Sequence, residues 1–294
     1  RRLRVSRLLV YPIKGCKGVA LRSVRVQAEG LEHDREFAIV RPREDGEAGW
    51  QFVSQRELPA EALVEPSLPD AEGRLAVRAP GMQELSVPPP GEGARRVSFE
   101  IWGDACEGLD CGDAAAAWLS DFLKVPGLRL LRHVGVRRID ETFAKGVSRF
   151  SDGFPLLVTT EASLANVERA TGLGLSVPRF RPNLVLAGAW DFEEDTVLGA
   201  ACGSGTSAVT LRFVKPCARC QVPSVDPVWG VRGKDPIREM KPYRSGRALK
   251  DKETAFPWHF KEHLGDTFFG QNAVPDLSHG SEGSLTVGDI ARWI

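Results

Sequence analysis

What this sequence lacks narrows it first. Six cysteines in 294 residues are too few for a scaffold built on disulfides, and no secretory signal is seen, so reduced thiols, free to act as ligands, are expected. No run approaches the ~20 apolar residues that a membrane-spanning helix needs, and the longest apolar stretches are strand-sized, so no membrane span is expected. Charge of one sign is not in excess: 39 Lys and Arg stand against 39 Asp and Glu, which argues against generic nucleic-acid binding. A Gly-x-Gly-x-x-Gly dinucleotide fingerprint, a Cys-x-x-Cys-His haem attachment and a ferredoxin cysteine series are all missing, so any electrons the chain uses come from a partner. No internal repeat of solenoid-like period is present.

What is there describes a folded globular chain, 42% hydrophobic and 27% charged, long enough for one large domain or two joined ones. The first half reads as short strands. Val5 to Tyr11, Val19 to Gln27, Glu36 to Val40, Leu75 to Arg78 and Val97 to Ile101 carry β-branched or alternating apolar residues between turn signals. Connections rich in Gly and Pro, Pro42 to Gly49 and Pro88 to Gly93, read as loop tips. Strong helix formers from Asp113 to Leu123 predict a helix.

The second half resumes with strands at Leu128 to Arg132 and Pro155 to Thr159, after which Thr160 caps a helix that Gly172 stops. Asn183 to Ala187, Ala208 to Val214 and Leu285 to Val287 favour strands, separated by a Gly-rich turn at Gly199 to Gly205 and a charged segment from Arg232 to Glu253. Short strands with few helices and no regular alternation predict an α+β, predominantly β fold with a barrel-like or strongly curved sheet.

The most informative local feature is Lys215-Pro216-Cys217-Ala218-Arg219-Cys220-Gln221, two thiols beside an arginine after an apolar strand. A nearby cation favours the thiolate, the form that binds metal or attacks. A structural zinc half-site completed by Cys106 and Cys111, a redox dithiol and two packed thiols without chemistry all fit this spacing. So does a single soft thiolate ligating molybdenum, because a dithiolene cofactor brings most of the coordinating sulfur itself. Such a cofactor ends in phosphate and needs a basic pocket. Lys14 in Tyr11-Pro12-Ile13-Lys14-Gly15-Cys16-Lys17-Gly18, Arg35 in His33-Asp34-Arg35, Arg56, and Arg181 in Arg179-Phe180-Arg181-Pro182-Asn183 are the candidates.

The Tyr-Pro-x-Lys-x-Cys-x-Gly stretch, Asp34-Arg35-Glu36-Phe37, Phe180-Arg181-Pro182-Asn183 and Cys-x-Arg-Cys followed by Val225-Asp226-Pro227 occur together and in order. In this combination the chain resembles the MOSC family, specifically the amidoxime-reducing components, over nearly its whole length. The resemblance implies an N-terminal MOSC-associated β domain over 1–124 packed on a MOSC β-barrel-like domain over 125–294. It implies that Cys220 ligates the metal of a molybdenum cofactor (Mo-molybdopterin), with Cys217 a neighbour of unassigned role. Cofactor contacts carry over to Lys14, Gly15, Arg35, Gly153, Phe154, Arg181, Asn183, Ala218, Arg219 and Asn272. Gly15 stands where a serine is usual, Gly153 and Phe154 replace a small hydroxylated pair, and Asn272 stands where an aromatic is familiar.

The activity so implied is reduction of N-hydroxylated compounds (amidoximes, hydroxylamines, N-hydroxylated bases), with nitrite as a further acceptor and cytochrome b5 and NADH-cytochrome b5 reductase as donors. A monomer is expected, in the cytoplasm or on a cytosol-facing mitochondrial surface, any anchor lying outside this chain. A carrier that holds the cofactor without turnover is the alternative. Asp226, His259 and His263 are candidate proton donors.

Overall fold

A computed structural model describes residues 2–43, 49–204, 208–276 and 283–294. Strands Phe37–Pro42, Trp50–Phe52, Arg96–Ile101, Asp104–Asp110 and Arg129–His133 close into a barrel. Strict alternation explains the Arg96–Ile101 strand: Val97, Phe99 and Ile101 turn inward and pack with Ala38, Val40, Cys106, Leu131 and Phe150. Its hairpin to Asp104 turns on Trp102 and Gly103, both at positive φ (55° and 92°), the backbone of a two-residue primed turn. Gly103 tolerates this freely. Trp102 does not, and left-handed backbone on a bulky residue costs about 1–2 kcal/mol.

The second assembly is an eight-stranded sheet in the order Val19–Leu21, Arg4–Val10, Leu184–Ala187, Leu156–Thr160, Phe268–Asp276, Val209–Ala218, Gly199–Cys202, Ala291–Trp293. Leu156–Thr160 and Leu184–Ala187 run parallel and are bridged by helix Glu161–Thr171. That helix begins and ends where the sequence places it: Thr160 Oγ1 accepts from Ser163 N at 3.1 Å, and Gly172 closes it in left-handed backbone. Helix Asp113–Leu123 likewise spans its expected residues. The fold is α+β and predominantly β, as expected.

The chain crosses between the two assemblies. Its first strand pairs with Leu184–Ala187 (Leu8 opposite Leu184), so the N-terminus completes the large sheet. Past residue 124, Arg129–His133 still pairs with Phe37–Pro42 and closes the barrel. The expected strand from Val19 to Gln27 breaks at Arg22, and its second part, Ser23–Gln27, pairs with Gly283–Thr286 instead.

Two local expectations differ from what forms, and one strand arises where none is expected. Gly199–Cys202 is a strand, buried throughout, not a turn, while Gly205 lies outside the described residues, as does the interior of the Pro42–Gly49 loop. The small side chains of that strand permit close approach: a Cβ on Gly199 would meet the Ile294 side chain at 3.0 Å. Phe268–Asp276, which no sequence pattern announces, is a nine-residue strand between Leu156–Thr160 and the ten-residue Val209–Ala218. Part of the charged segment folds into helices Pro236–Arg244 and Gly246–Leu249, each capped at its start by a side chain, Asp235 onto Ile237 N and Ser245 onto Ala248 N.

Candidate functional site

One pocket enclosing about 870 Å³, its open mouth included, lies where the barrel meets the large sheet. Every expected site residue except Ala218 lines it: Lys14, Gly15, Arg35, Gly153, Phe154, Arg181, Asn183, Arg219, Cys220 and Asn272. Cys217 lines it too, as does Arg56. Ala218 is exposed outside it, paired through its backbone with Phe268.

The basic side is built around Tyr11. This ring is buried, and the guanidiniums of Arg35 and Arg181 stack on it with their carbons 4.3 and 4.2 Å from its centroid. Its hydroxyl donates to Pro182 O at 3.2 Å, and burial pushes its pKa up to about 12. Arg35 is held further by Asp34, whose carboxylate takes Nη1 at 2.7 and 2.6 Å and also accepts from Tyr11 N at 2.9 Å. Arg181 donates Nη1 to Cys16 O at 2.7 Å, which pins the 14–18 loop. Both arginines sit in left-handed backbone, φ 48° and 56°, a strained arrangement of the kind that gathers at ligand sites.

The thiol side follows from the strand Val209–Ala218. It ends by carrying Cys217 and Cys220 to the pocket, and the following turn, Val222–Ser224, redirects the chain. Arg219 braces this loop, donating Nη2 to Phe180 O at 2.8 Å and Nη1 to Cys217 Sγ at 3.2 Å. Asn183 lines the pocket yet is occupied structurally: Oδ1 accepts from Leu157 N at 3.1 Å and Nδ2 donates to Leu9 O at 3.2 Å, tying adjacent strands. Gly153 has nothing within 4 Å of the position of a Cβ, so its bareness keeps that wall open.

A third wall escaped the sequence reading. Trp102, at the tip of the barrel hairpin, donates Nε1 to Asp152 Oδ1 at 3.0 Å, meets Phe52 edge-on at 4.9 Å and carries the Arg56 guanidinium over its ring at 4.2 Å. Asp152 also pairs with Lys14 Nζ. Desolvation raises the Asp152 carboxyl, but Lys14 and Trp102 outweigh that and hold it well below its ordinary value. Burial lowers the Lys14 ammonium. The strained Trp102-Gly103 turn was the only sequence signal available, and it reads as a turn, not as a site.

The residues fit a ligand with a phosphate end and a soft metal centre. Three pocket residues carry buried donors with no hydrogen-bond partner among the described residues, Arg181 Nη2, Arg219 Nε and Ser151 Oγ, and such orphans are costly unless something else satisfies them. The same pocket is lined by two thiols, Cys217 and Cys220.

Residues 2–126 match the MOSC N-terminal beta barrel domain and residues 145–291 the MOSC domain. The chain is 33% identical over 253 residues to mitochondrial amidoxime reducing component 2 of Bos taurus, spanning 82% of this chain and 72% of that one. It is 32% identical to the human component 2 over the same shares, and 32% identical to human mitochondrial amidoxime-reducing component 1 over 87% of this chain and 77% of that one. The chain belongs to the MOSC-domain family of the amidoxime-reducing components.

Within this MOSC fold the zinc reading finds no geometry. Cys106 and Cys111 are buried in apolar clusters of the barrel half, Cys217 and Cys220 line the pocket, and no group of three or more metal-binding side chains converges among the described residues. The three candidate proton donors lie outside the pocket as well. Asp226 accepts from Arg179 Nη2 and from the backbone of Val228 and Trp229. His259 is packed between Phe143, Trp258, His263 and Phe268, where burial lowers its pKa to about 4, and His263 pairs with Asp266. No helix among the described residues is long and apolar enough to cross a membrane.

Proposed function

We propose that this pocket holds a molybdenum cofactor (Mo-molybdopterin) through the Cys220 thiolate and that the protein reduces N-hydroxylated small molecules: amidoximes, hydroxylamines and N-hydroxylated bases, with nitrite a further acceptor. The observation that carries this reading is the convergence of Lys14, Arg35, Arg181 and the Arg219-Cys220 pair, from four separate segments, on one pocket where three buried donor atoms lack a partner among the described residues. When bound, the cofactor supplies a two-electron redox couple for cleaving the N–O bond, with two protons taken up and water released.

The chain's own residues do the rest. Arg181 Nη2, Ser151 Oγ and Lys14 offer donors to the phosphate end, and Arg35 adds positive charge beside it. Phe52, Trp102, Phe154, Leu156 and Leu157 line the remainder and screen it from water. The barrel, supplying Trp102 and Phe52, and the large sheet, supplying the thiols, are then two parts of one site, which fits the 1–124 and 125–294 division as a functional one. The reading extends to cytochrome b5 and NADH-cytochrome b5 reductase as electron donors, to a monomer, and to the cytoplasm or a cytosol-facing mitochondrial surface. The relatives' names, mitochondrial amidoxime reducing components, support the substrate class and a mitochondrial association; the electron donors and the monomer rest on the family resemblance alone.

The test is metal content and benzamidoxime reduction, with cytochrome b5, its reductase and NADH, for wild type and Cys220→Ser. Near-stoichiometric molybdenum with turnover that Cys220→Ser abolishes is expected. Molybdenum without turnover would make the protein a carrier, and zinc without molybdenum would overturn the reading.

A further inference from the structure

Glu61 is the one wholly buried acid beside this pocket that has no role in the account above. It sits in the short 3-10 turn Pro59–Leu63, is 0% exposed, and neither carboxyl oxygen has a hydrogen-bond partner among the described residues. It lies directly beneath the pocket loop: a Cβ on Gly15 would overlap its Oε2 and meet its Cδ at 2.9 Å. Gly15, at φ +83°, is therefore demanded twice, by its backbone and by the carboxyl under it. The absence of a side chain at 15 is matched to the acid at 61.

The charged surroundings are lopsided. Arg181 and Lys14 act on Glu61 from the pocket side, and Glu57 opposes them from its own segment. The Cys16 thiol, pushed well up by burial, faces it from the same loop. The strands Val225–Asp226 and Val231–Arg232 also pack on this turn, but Asp226 is paired with Arg179 and Arg232 is exposed. No cation comes within ion-pair distance of Glu61 among the described residues, so the two cations favour its charge from a distance without neutralising it.

We propose that Glu61 is a positioning residue whose neutral carboxyl, seated under Gly15, leaves the positive charge of Arg181 to an anionic ligand group, and that the pocket binds such a group together with a proton on Glu61. The idea rests on the reading of this pocket as the seat of a phosphate-ended cofactor. Burial lifts the Glu61 carboxyl to about 8, so near pH 7 it is neutral, and above pH 8 its charge opposes the anion. Binding a dianion nearby raises that value further and draws in a proton, as linkage requires.

Sulfate is the probe, because its charge does not change between pH 6.5 and pH 9.5 and it needs no metal. Sulfate affinity of the cofactor-free protein is to be measured by calorimetry for wild type, Glu61→Gln and Glu61→Met. At pH 6.5 the three should agree within about twofold, and at pH 9.5 both variants should bind on the order of tenfold more tightly than wild type. Lys14, itself lowered by burial, loses its charge more readily in the variants, which lack the Glu61 carboxylate, and this works against the expected gain and cannot produce it. Difference infrared spectra of the wild type at pH 8 should gain a protonated-carboxyl stretch on adding sulfate, a readout that does not depend on either variant folding. Equal affinities at both pH values, or no new carboxyl band, would overturn this proposal alone. Sulfate binding to no form at any pH would overturn the anion-binding reading of the pocket and this proposal with it.

Discussion

Two arginines of this protein, Arg244 buried and Arg181 half-buried, are handled in opposite ways. Arg244 has a carboxylate of its own: Asp195 forms an ion pair with Nη2 at 2.7 Å, though without hydrogen-bond geometry, Nε donates to Phe268 O at 3.0 Å, and the guanidinium stacks 3.9 Å over Phe192. Asp195 is held in turn by Gln271 Nε2 at 2.7 Å, and Glu194 beside it accepts from Thr159, Thr160 and Ser163. Arg181 has the stacking and one carbonyl but no carboxylate within ion-pair distance among the described residues, and its Nη2 is buried without a partner. A closed network holds elements together. An open one holds charge in reserve, at a cost in strain and desolvation that a ligand can offset.

The largest expected effect breaks the closed side. Arg244→Ala leaves Asp195 buried and unpaired and should lose about 3–5 kcal/mol in urea unfolding. Arg181→Ala should change stability by no more than about 1 kcal/mol yet weaken sulfate binding to the cofactor-free protein roughly a hundredfold, since a charge-assisted pair contributes about 2–3 kcal/mol. If Arg181→Ala instead unfolds the protein as Arg244→Ala does, the contrast between the two sites fails.

A smaller effect depends on pH. Burial first, and then the neighbouring Asp195 charge, raise Glu194 from 4.5 to about 7. An acid that holds its proton more tightly when folded destabilises the fold progressively as pH climbs from the unfolded value to the folded one, and no further above it. Relative to wild type, Glu194→Gln should therefore gain about 2 kcal/mol of stability between pH 4.5 and pH 7, followed by thermal or urea unfolding at each pH. Smallest is Thr160→Ala, which removes both the helix cap and a hydrogen bond to Glu194 and should cost about 1–2 kcal/mol. A loss below about 0.3 kcal/mol would mean that the cap and the network do not share this residue energetically.

Legibility followed the range of the interaction. Helix Glu161–Thr171 could be read to within about one residue, to Ala170, because its signals, Thr160 and Gly172, act on their immediate neighbours. Strand Phe268–Asp276 could not: Gly270, Asn272 and Pro275 interrupt any pattern, and the segment is extended because it pairs along most of its length with Val209–Ala218 and on its other side with Leu156–Thr160. Gly199–Cys202 looked like a turn from its glycine, yet close packing was the reason for it. At the site, Lys14, Arg35, Arg181 and Cys220 were found through short ordered motifs. Trp102, Asp152, Gln55 and Glu61 line or underlie the same pocket without a motif, because their roles come from partners elsewhere in the chain: Asp152 for Trp102, Lys14 for Asp152, Gly15 O for Gln55 and the Gly15 Cα for Glu61.

The sequence by itself determined the mainly β class, the helices Asp113–Leu123 and Glu161–Thr171 and the residue types able to bind phosphate and a soft metal, since these follow from local propensity and side-chain chemistry. Only the tertiary structure decided which of them meet. It placed the first strand in the second half's sheet, stacked Arg35 and Arg181 on one tyrosine, gave Asp195 to Arg244, and left the Arg181 Nη2 without a partner. Pairing and burial across more than a hundred residues are properties of the packed chain, and no local window of sequence contains them.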